Sequence, residues 1–537
     1  MVRGAVWKKE GTKKNVLIVE HFPVLVVAIS MFAAFTILIA GWLLNKKCCF
    51  FISFITILIQ FILSIFILHH VLTVGTITYW LGGWSPPWGI EYVVDALNAY
   101  ILVILLALSL ICVTYSKRSI AHELPEKLIP FYTLYQLLIT GLCGITLTGD
   151  IFNMYVFIEI TSLAAYALIA SRGKIALKAS FTYLVLGALG ACFFLLGIGF
   201  LYSVTGTLNM HDLSILLPPL YGNRVVLAAF GFFTVGLSIK MALFPLHTWL
   251  PDAHSFAPSE ISAMLSGIII EVSTYAFIRI CFSVYSVDFI TTYVPIFDFL
   301  CWVSALGIII GSILAIAQYN LKRMLAYSSV SQMGYIMLAV GLSTSTHHEL
   351  WGGLTPALMH ILNHALMKGC LFLVAGAFIY KAELWNISDL QGLAKKMPYT
   401  CFGFTLAAIS MIGVPPTVGF VSKVYIILAS LDAAKTGGHP GYIIFVAVLL
   451  FSTLLNLVYF WRVVETMYMK EGSEGGGSHT TPTKDEIPFS MLIPILTLAA
   501  LCIIMGIIWL MEIPIIGGYP ILDQVNELFG LGVYAAP

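Results

Sequence analysis

Charge is what this sequence lacks. Of its 537 residues only 10% are Asp, Glu, Lys or Arg, while 60% are apolar, and soluble domains carry about 25% charged residues. So few charges cannot cover the water-facing surface of a soluble chain of this length. With a mean hydropathy of +0.96 and apolar runs of about 20 residues recurring from end to end, a string of soluble domains is excluded. Nucleotide signatures are missing as well. There is no Walker loop and no GxGxxG behind a strand, which leaves an ATP-driven pump or a bound dinucleotide without support. Cysteine occurs ten times, but only Cys48 and Cys49 are close together. Without CxxC or Cys/His ligand spacing they read as small apolar helix residues. No iron–sulfur or haem spacing is present, so neither a cofactor nor a metal is expected. The net charge of +1 implies neither nucleic acid nor an acidic partner.

What is present reads as an all-α polytopic membrane protein with fourteen spans near 22–44, 48–70, 95–115, 128–148, 151–170, 179–203, 224–250, 260–285, 294–318, 325–343, 354–380, 400–432, 440–468 and 489–513. The stretch 22–44, behind the basic tail Arg3, Lys8, Lys9, Lys13 and Lys14, is too long for a signal-peptide core and reads as the first span. Sixteen Lys and Arg fall in loops after odd-numbered spans, against Arg224 and Lys435 after even-numbered ones. Positive charge collects on the cytoplasmic side, so both termini of this multi-pass chain are expected outside the cell membrane, with the basic tail outvoted. The segment 472–484, GSEGGGSHTTPTK, reads as a flexible cytoplasmic loop.

The same ledger isolates the charges that do not belong in loops. Arg279 lies near a span end, where its guanidinium can snorkel to the interface. Lys240, Lys368, Lys423, Glu159 and Glu271 fall well within apolar runs, where each costs about 2.5–3.5 kcal/mol on insertion scales. His360, His364 and Lys368 are spaced i, i+4, i+8, on one face of a helix. One explanation is static ion pairing that locks helices together. Three lysines, two acids and two histidines leave charge over under fixed pairing, however, and such a set inside a membrane is the usual material of a proton relay. Prolines add a second argument. Pro245 and Pro251 interrupt the seventh span and Pro415–Pro416 the twelfth. Each break frees backbone groups that only protein or a wet cavity can satisfy. Paired broken helices point to the ion site of a transporter, and their separation by five spans makes spans 4–8 and 9–13 candidates for an inverted repeat.

Six segments in order carry a resemblance: YWLGGWSPPWGIEYVVDALNAY (79–100), FPLHTWLPDAHSFAPSEISA (244–263), LKRMLAYSSVSQMGY (321–335), HILNHALMKGCLFLVAG (360–376), DLQGLAKKMP (389–398) and GVPPTVGFVSK (413–423). Over residues 75–470 the chain resembles the proton-conducting antiporter-like subunits of respiratory complex I and of Mrp antiporters, the D-type Mrp subunit most, as also found in membrane-bound hydrogenase and sulfane reductase complexes. The resemblance implies fourteen helices with two inverted five-helix repeats, each with a broken helix. It implies helices 1–3 over 1–127, the repeats over 128–285 and 294–468, a loop at 469–488, and helix 14 with its tail at 489–537. It further implies that Glu159 and Lys240 form the first-repeat acid–lysine pair, that Lys423 belongs to the second broken helix, and that His360, His364 and Lys368 form a connecting polar axis. At Glu271 the family usually carries lysine. Three readings of this carboxylate stand: a proton relay, a sodium ligand, or a static partner for Lys240 or Lys368. The expected function is proton translocation, with Na+/H+ exchange an alternative, driven by other membrane subunits of a multisubunit complex. A non-conducting scaffold for a soluble redox arm is the rival.

Overall fold

A computed structural model describes residues 19–346, 348, 351–435, 438–470, 485–511 and 519–531. The basic N-terminal tail and the Gly/Ser-rich segment 472–484 lie outside the described residues. Unbroken helices run α1 (Phe22–Leu43), α2 (Lys46–Thr73), α3 (Ala96–Glu123), α4 (Leu128–Leu147), α5 (Ile151–Ala170) and α6 (Lys174–Thr205). The next segment is split into α7 (Arg224–Lys240) and α8 (Leu250–Phe256). Then come α9 (Ser259–Tyr285), α10 (Ile296–Ile316), α11 (Leu321–Leu342) and α12 (Thr355–Ala382). A second split segment gives α13 (Pro398–Ile412) and α14 (Val418–Lys435), followed by α15 (Ile443–Tyr468), α16 (Phe489–Leu510) and the short amphipathic α17 (Tyr519–Leu528). Twelve helices among the described residues are long and apolar enough to cross a membrane. The reading of fourteen spans counts the two split segments as well.

Local signals set the helix starts. Asp95 accepts from the backbone of Leu97 and Asn98 while the Asn98 side chain answers with the Asp95 N–H, a reciprocal cap that begins α3. Asp150 starts α5 and Asn320 starts α11 by accepting from Asn153 and Arg323 respectively. The Asn320 cap explains why α11 begins four residues before the expected 325: its first turn holds Lys322 and Arg323, which lower the hydropathy without ending the helix. A hairpin absent from the all-α expectation joins α2 to α3, pairing Ile77–Trp80 (β1) with Glu91–Val94 (β2) antiparallel, Ile77 opposite Val94.

Burial sorts the helices into centre and rim. The most apolar windows of α9 and α11 are 94% buried and that of α12 is 89%, against 33% for α2 and α15. The rim helices show apolar side chains outward, as a lipid-facing surface requires. Close backbone approach tightens the bundle: a Cβ on Gly236 of α7 would stand 2.6 Å from the Gly190 carbonyl of α6.

The basic loops gather on one face. Lys127 donates to the Ser171 carbonyl, Arg172 meets Glu123, Leu321 N–H donates to the Trp385 carbonyl, and Lys381 pairs with Asp485. The hairpin, the Asp150–Asn209 bridge and the contact of Asn526 on α17 with Leu354 and Thr355 at the start of α12 occupy the opposite face.

Candidate functional site

Lys240 is the last residue of α7, where the chain leaves helical geometry ahead of Pro245. The Trp249 indole N–H donates to the Ile239 carbonyl at 2.9 Å, beside the Ala242 N–H at 3.2 Å. The Lys240 ammonium lies 3.7 Å from Glu159 Oε1 and donates to Ser162 Oγ at 2.7 Å. Glu159 and Ser162 are one helical turn apart on α5 and so face the same neighbour. The pair is lopsided: the Lys240 side chain is 6% exposed and the Glu159 side chain 29%, so the acid sits at the rim of the bundle and the lysine inside.

The second cluster lines α12. His364 Nδ1 is 2.5 Å from Glu271 Oε1 of α9. Glu271 Oε2 and His364 Nε2 have no hydrogen-bond partner among the described residues. One turn away, His360 is held between Gln332 Oε1 of α11 and Ser422 Oγ of α14, both at 2.9 Å. One turn the other way, Lys368 donates to the Leu325 carbonyl at 2.9 Å and to Ser328 Oγ. Every member of the row is buried. Lys368 and His360 are each within electrostatic reach of His364, and Lys423 of His360.

Lys423 sits one turn into α14, past the second break. Gly413, with φ +92, ends α13, and the carbonyls left over at Met411 and Ile412 accept from the Lys423 ammonium at 2.7 and 3.1 Å. The Tyr335 ring lies beneath it, 5.2 Å to the centroid, and also stacks on His360 at 5.5 Å. With its amide turned to satisfy its neighbours, Asn456 accepts from Lys423 at 3.2 Å.

The structure therefore brings Glu271, His360, His364, Lys368 and Lys423 into one run and Glu159 with Lys240 into another. Between the two runs the Thr274 hydroxyl donates a weak hydrogen bond to Met241 Sδ at 3.8 Å. Two readings need correction. The group in contact with Glu271 is His364, not Lys240 or Lys368. Arg279 does not snorkel: it is buried, donates to both Asp95 oxygens at 2.7 and 2.9 Å and to Asn98 at 2.6 Å. Its partner sits at a helix start 184 residues earlier, so the charge that keeps it inside was invisible to hydropathy.

Buried charge was also missed on the basic face. Glu260, His254 and Lys322 are at most 1% exposed. Lys322 falls among the sixteen loop cations of the hydropathy reading, Glu260 at the very start of the expected span 260–285, and His254 between Pro251 and Pro258. The available signal was the segment 244–263 itself, which packs His247, His254 and Glu260 into a stretch next to a helix break.

Comparison with known proteins gives a consistent picture. The family described as NADH:quinone oxidoreductase/Mrp antiporter, TM matches residues 148–454. The chain is 45% identical over 436 residues to an NADH-quinone oxidoreductase subunit N from Desulforudis audaxviator, covering 80% of this chain and 84% of that one. It is 32% identical over 448 residues to the D-type subunit of a Na(+)/H(+) antiporter from Alkalihalophilus pseudofirmus, covering 83% and 86%. Its fold matches a chain of the membrane-bound sulfane sulfur reductase, an archaeal respiratory membrane complex, with a TM-score of 0.82 at 29% identity, covering 94% and 97%.

Proposed function

The chain belongs to the NADH:quinone oxidoreductase/Mrp antiporter transmembrane family, a family of antiporter-like membrane subunits, and we propose that it translocates protons across the cell membrane as one member of a multisubunit complex. The observation that carries this reading is the buried run Lys368–His364–His360–Lys423, with Glu271 on His364. Neighbouring groups in it can exchange protons or bias one another's charge, and one carboxylate oxygen and one imidazole nitrogen are left without fixed partners. A set kept only for cohesion would saturate those atoms, because each unsatisfied buried polar atom costs about 1–3 kcal/mol.

The mechanism follows from electrostatics. With Glu159 near Lys240, the charged lysine is favoured. With Glu159 withdrawn toward its exposed side, desolvation favours the neutral amine, and the proton is released toward the α12 row and on to Lys423. We read residues 128–285 and 294–468 as two inverted five-helix repeats, one split helix in each, with both termini outside and the basic loops inside. The driving force is assigned to partner subunits, as the names of the relatives suggest. A second reading, Na+/H+ exchange, draws on the partnerless oxygen of Glu271, an oxygen ligand of the kind hard cations choose.

The test uses the native complex in sealed vesicles. Lys240→Ala and Lys423→Ala should each abolish proton movement while the complex stays assembled. Unimpaired transport in both variants overturns the reading in favour of a non-conducting scaffold. Flux that depends on added sodium and loses that dependence in Glu271→Gln would select the exchange reading.

A further inference from the structure

On the basic face a cavity of about 380 Å³ opens among Ser119, His122, Glu123, Arg172, Tyr380 and Glu383. Behind its Ser119 wall lies Glu260, in the first turn of α9 and 0% exposed. Neither of its carboxylate oxygens has a hydrogen-bond partner of normal geometry among the described residues, although the Ser119 hydroxyl bears on it. Two cations hold the backbone beside it: Arg172 and Lys322 both donate to the Ala257 carbonyl, at 3.1 and 2.6 Å. The charges that face Glu260 are Glu123 from α3 and Lys322 from α11. Tyr115, Tyr132 and Tyr135 also lie within its field.

The cluster does not end there. His254 of α8, both of whose ring nitrogens are unpartnered among the described residues, is within electrostatic reach of Lys322 and of Lys368. Lys368 is the inner end of the α12 row. A series of ionisable groups thus runs from the cavity to the middle of the bundle through Glu260, Lys322, His254 and Lys368. A buried carboxylate without a fixed donor, one side chain away from a polar cavity, is costly unless it takes up a proton or a cation.

We propose that Glu260 is the proton-loading carboxylate of an access route from the basic face, taking a proton from water in this cavity and releasing it toward His254 and Lys368. The inference rests on the proton-translocating reading of the chain. Each cycle leaves the cluster's charge unchanged: the proton that Glu260 accepts is the one it gives up, and the base beyond it passes its own proton onward. Glu260 then acts at the start of the run whose far end is Lys423.

The test again uses the assembled complex in sealed vesicles. Glu260→Gln should lower proton flux by at least about tenfold, and Glu260→Asp, which keeps a titratable group, should restore most of it. Ser119→Cys should react with a membrane-impermeant thiol reagent applied from the basic face and not from the other, and the adduct should block flux. If Glu260→Gln assembles and pumps normally while Lys423→Ala does not, the inference fails and the broader reading stands. If both variants pump normally, the broader reading fails first. Should Glu260→Gln not assemble, the thiol experiment decides alone: a cysteine at 119 that is unreactive from the basic face, or one whose adduct leaves flux intact, overturns the proposal.

Discussion

The two lysines beside the helix breaks are held in opposite ways. Lys240 faces a carboxylate, Glu159, that is partly exposed at the rim. Lys423 has no carboxylate within ion-pair distance among the described residues and rests instead on two backbone carbonyls and an aromatic ring. Both arrangements arise from the same event, a helix interrupted in the bilayer. At the first break an indole N–H and the Ala242 N–H take the Ile239 carbonyl, leaving the lysine to an acid. At the second, the lysine itself takes the freed carbonyls. An acid on a neighbouring helix can move, while carbonyls that terminate a helix are fixed dipoles. In the proposed mechanism the charge of Lys240 is therefore set by a movable acid, whereas that of Lys423 answers to what arrives along the α12 row.

Breaking the movable partner should do the most damage. Glu159→Gln and Lys240→Met should each cut proton flux by more than about tenfold, equivalent to about 1.4 kcal/mol or more in the barrier. The double variant should be no worse than Lys240→Met alone, giving a coupling on the order of 1–3 kcal/mol. Additive losses in that cycle would mean the acid acts elsewhere and would remove the contrast between the two lysines. At the other break the expected split is different. Lys423→Gln keeps a donor for the Met411 and Ile412 carbonyls, so the thermal transition of the solubilised complex should hold while flux disappears. Lys423→Ala should lose flux and also about 1–3 kcal/mol of stability through the unsatisfied carbonyls. Equal melting of the two variants would show that the carbonyl contacts are incidental.

Glu271 probes the same contrast from the middle. Glu271→Gln can still accept from His364, so a purely cohesive role predicts retained stability and retained flux, and a relay predicts retained stability with flux reduced. Glu271→Lys sets a second cation beside His364 and near Lys368 with no acid between them, and should destabilise the complex by about 3 kcal/mol or more, as an uncompensated buried charge does. A stable, active Glu271→Lys complex would show that water or a rearranged acid already neutralises the row.

Much of this site was legible in the sequence because its signals are local. The helix breaks follow from Pro245, Pro251 and Pro415–Pro416, and the row His360, His364, Lys368 follows from a spacing of four. The Glu159–Lys240 contact was anticipated through family resemblance. What stayed hidden depends on packing between distant segments. Glu271 meets His364 across 93 residues and Arg279 meets Asp95 across 184, and no periodicity in either helix names the other. Lys322 was counted with the loop charges because hydropathy weighs a polar first turn as loop, yet the Asn320 cap and the Ala257 carbonyl draw it inside. The hairpin Ile77–Trp80 with Glu91–Val94 was missed because four-residue strands carry too little alternation to compete with the apolar runs on either side.

A subtler pair of variants tests the fixed lysine most closely. Tyr335 lies between Lys423 and His360, its ring 5.2 Å from the ammonium and 5.5 Å from the imidazole centroid, while its hydroxyl points away to the Leu449 carbonyl at 3.3 Å. If the ring's negative face helps to hold the lysine's charge, the hydroxyl is dispensable and the ring is not. Tyr335→Phe should therefore leave flux unchanged and cost under about 1 kcal/mol of stability, the worth of one neutral hydrogen bond. Tyr335→Leu keeps an apolar filler but removes the quadrupole, and should weaken the protonated state of Lys423 by about 1–2 kcal/mol, seen as a downward shift in the pH at which flux falls off on the alkaline side. Were Leu as harmless as Phe, the field at Lys423 would have to come from the carbonyls alone. Were Phe as damaging as Leu, the hydroxyl would belong to the path and the second lysine would be less fixed than its geometry implies.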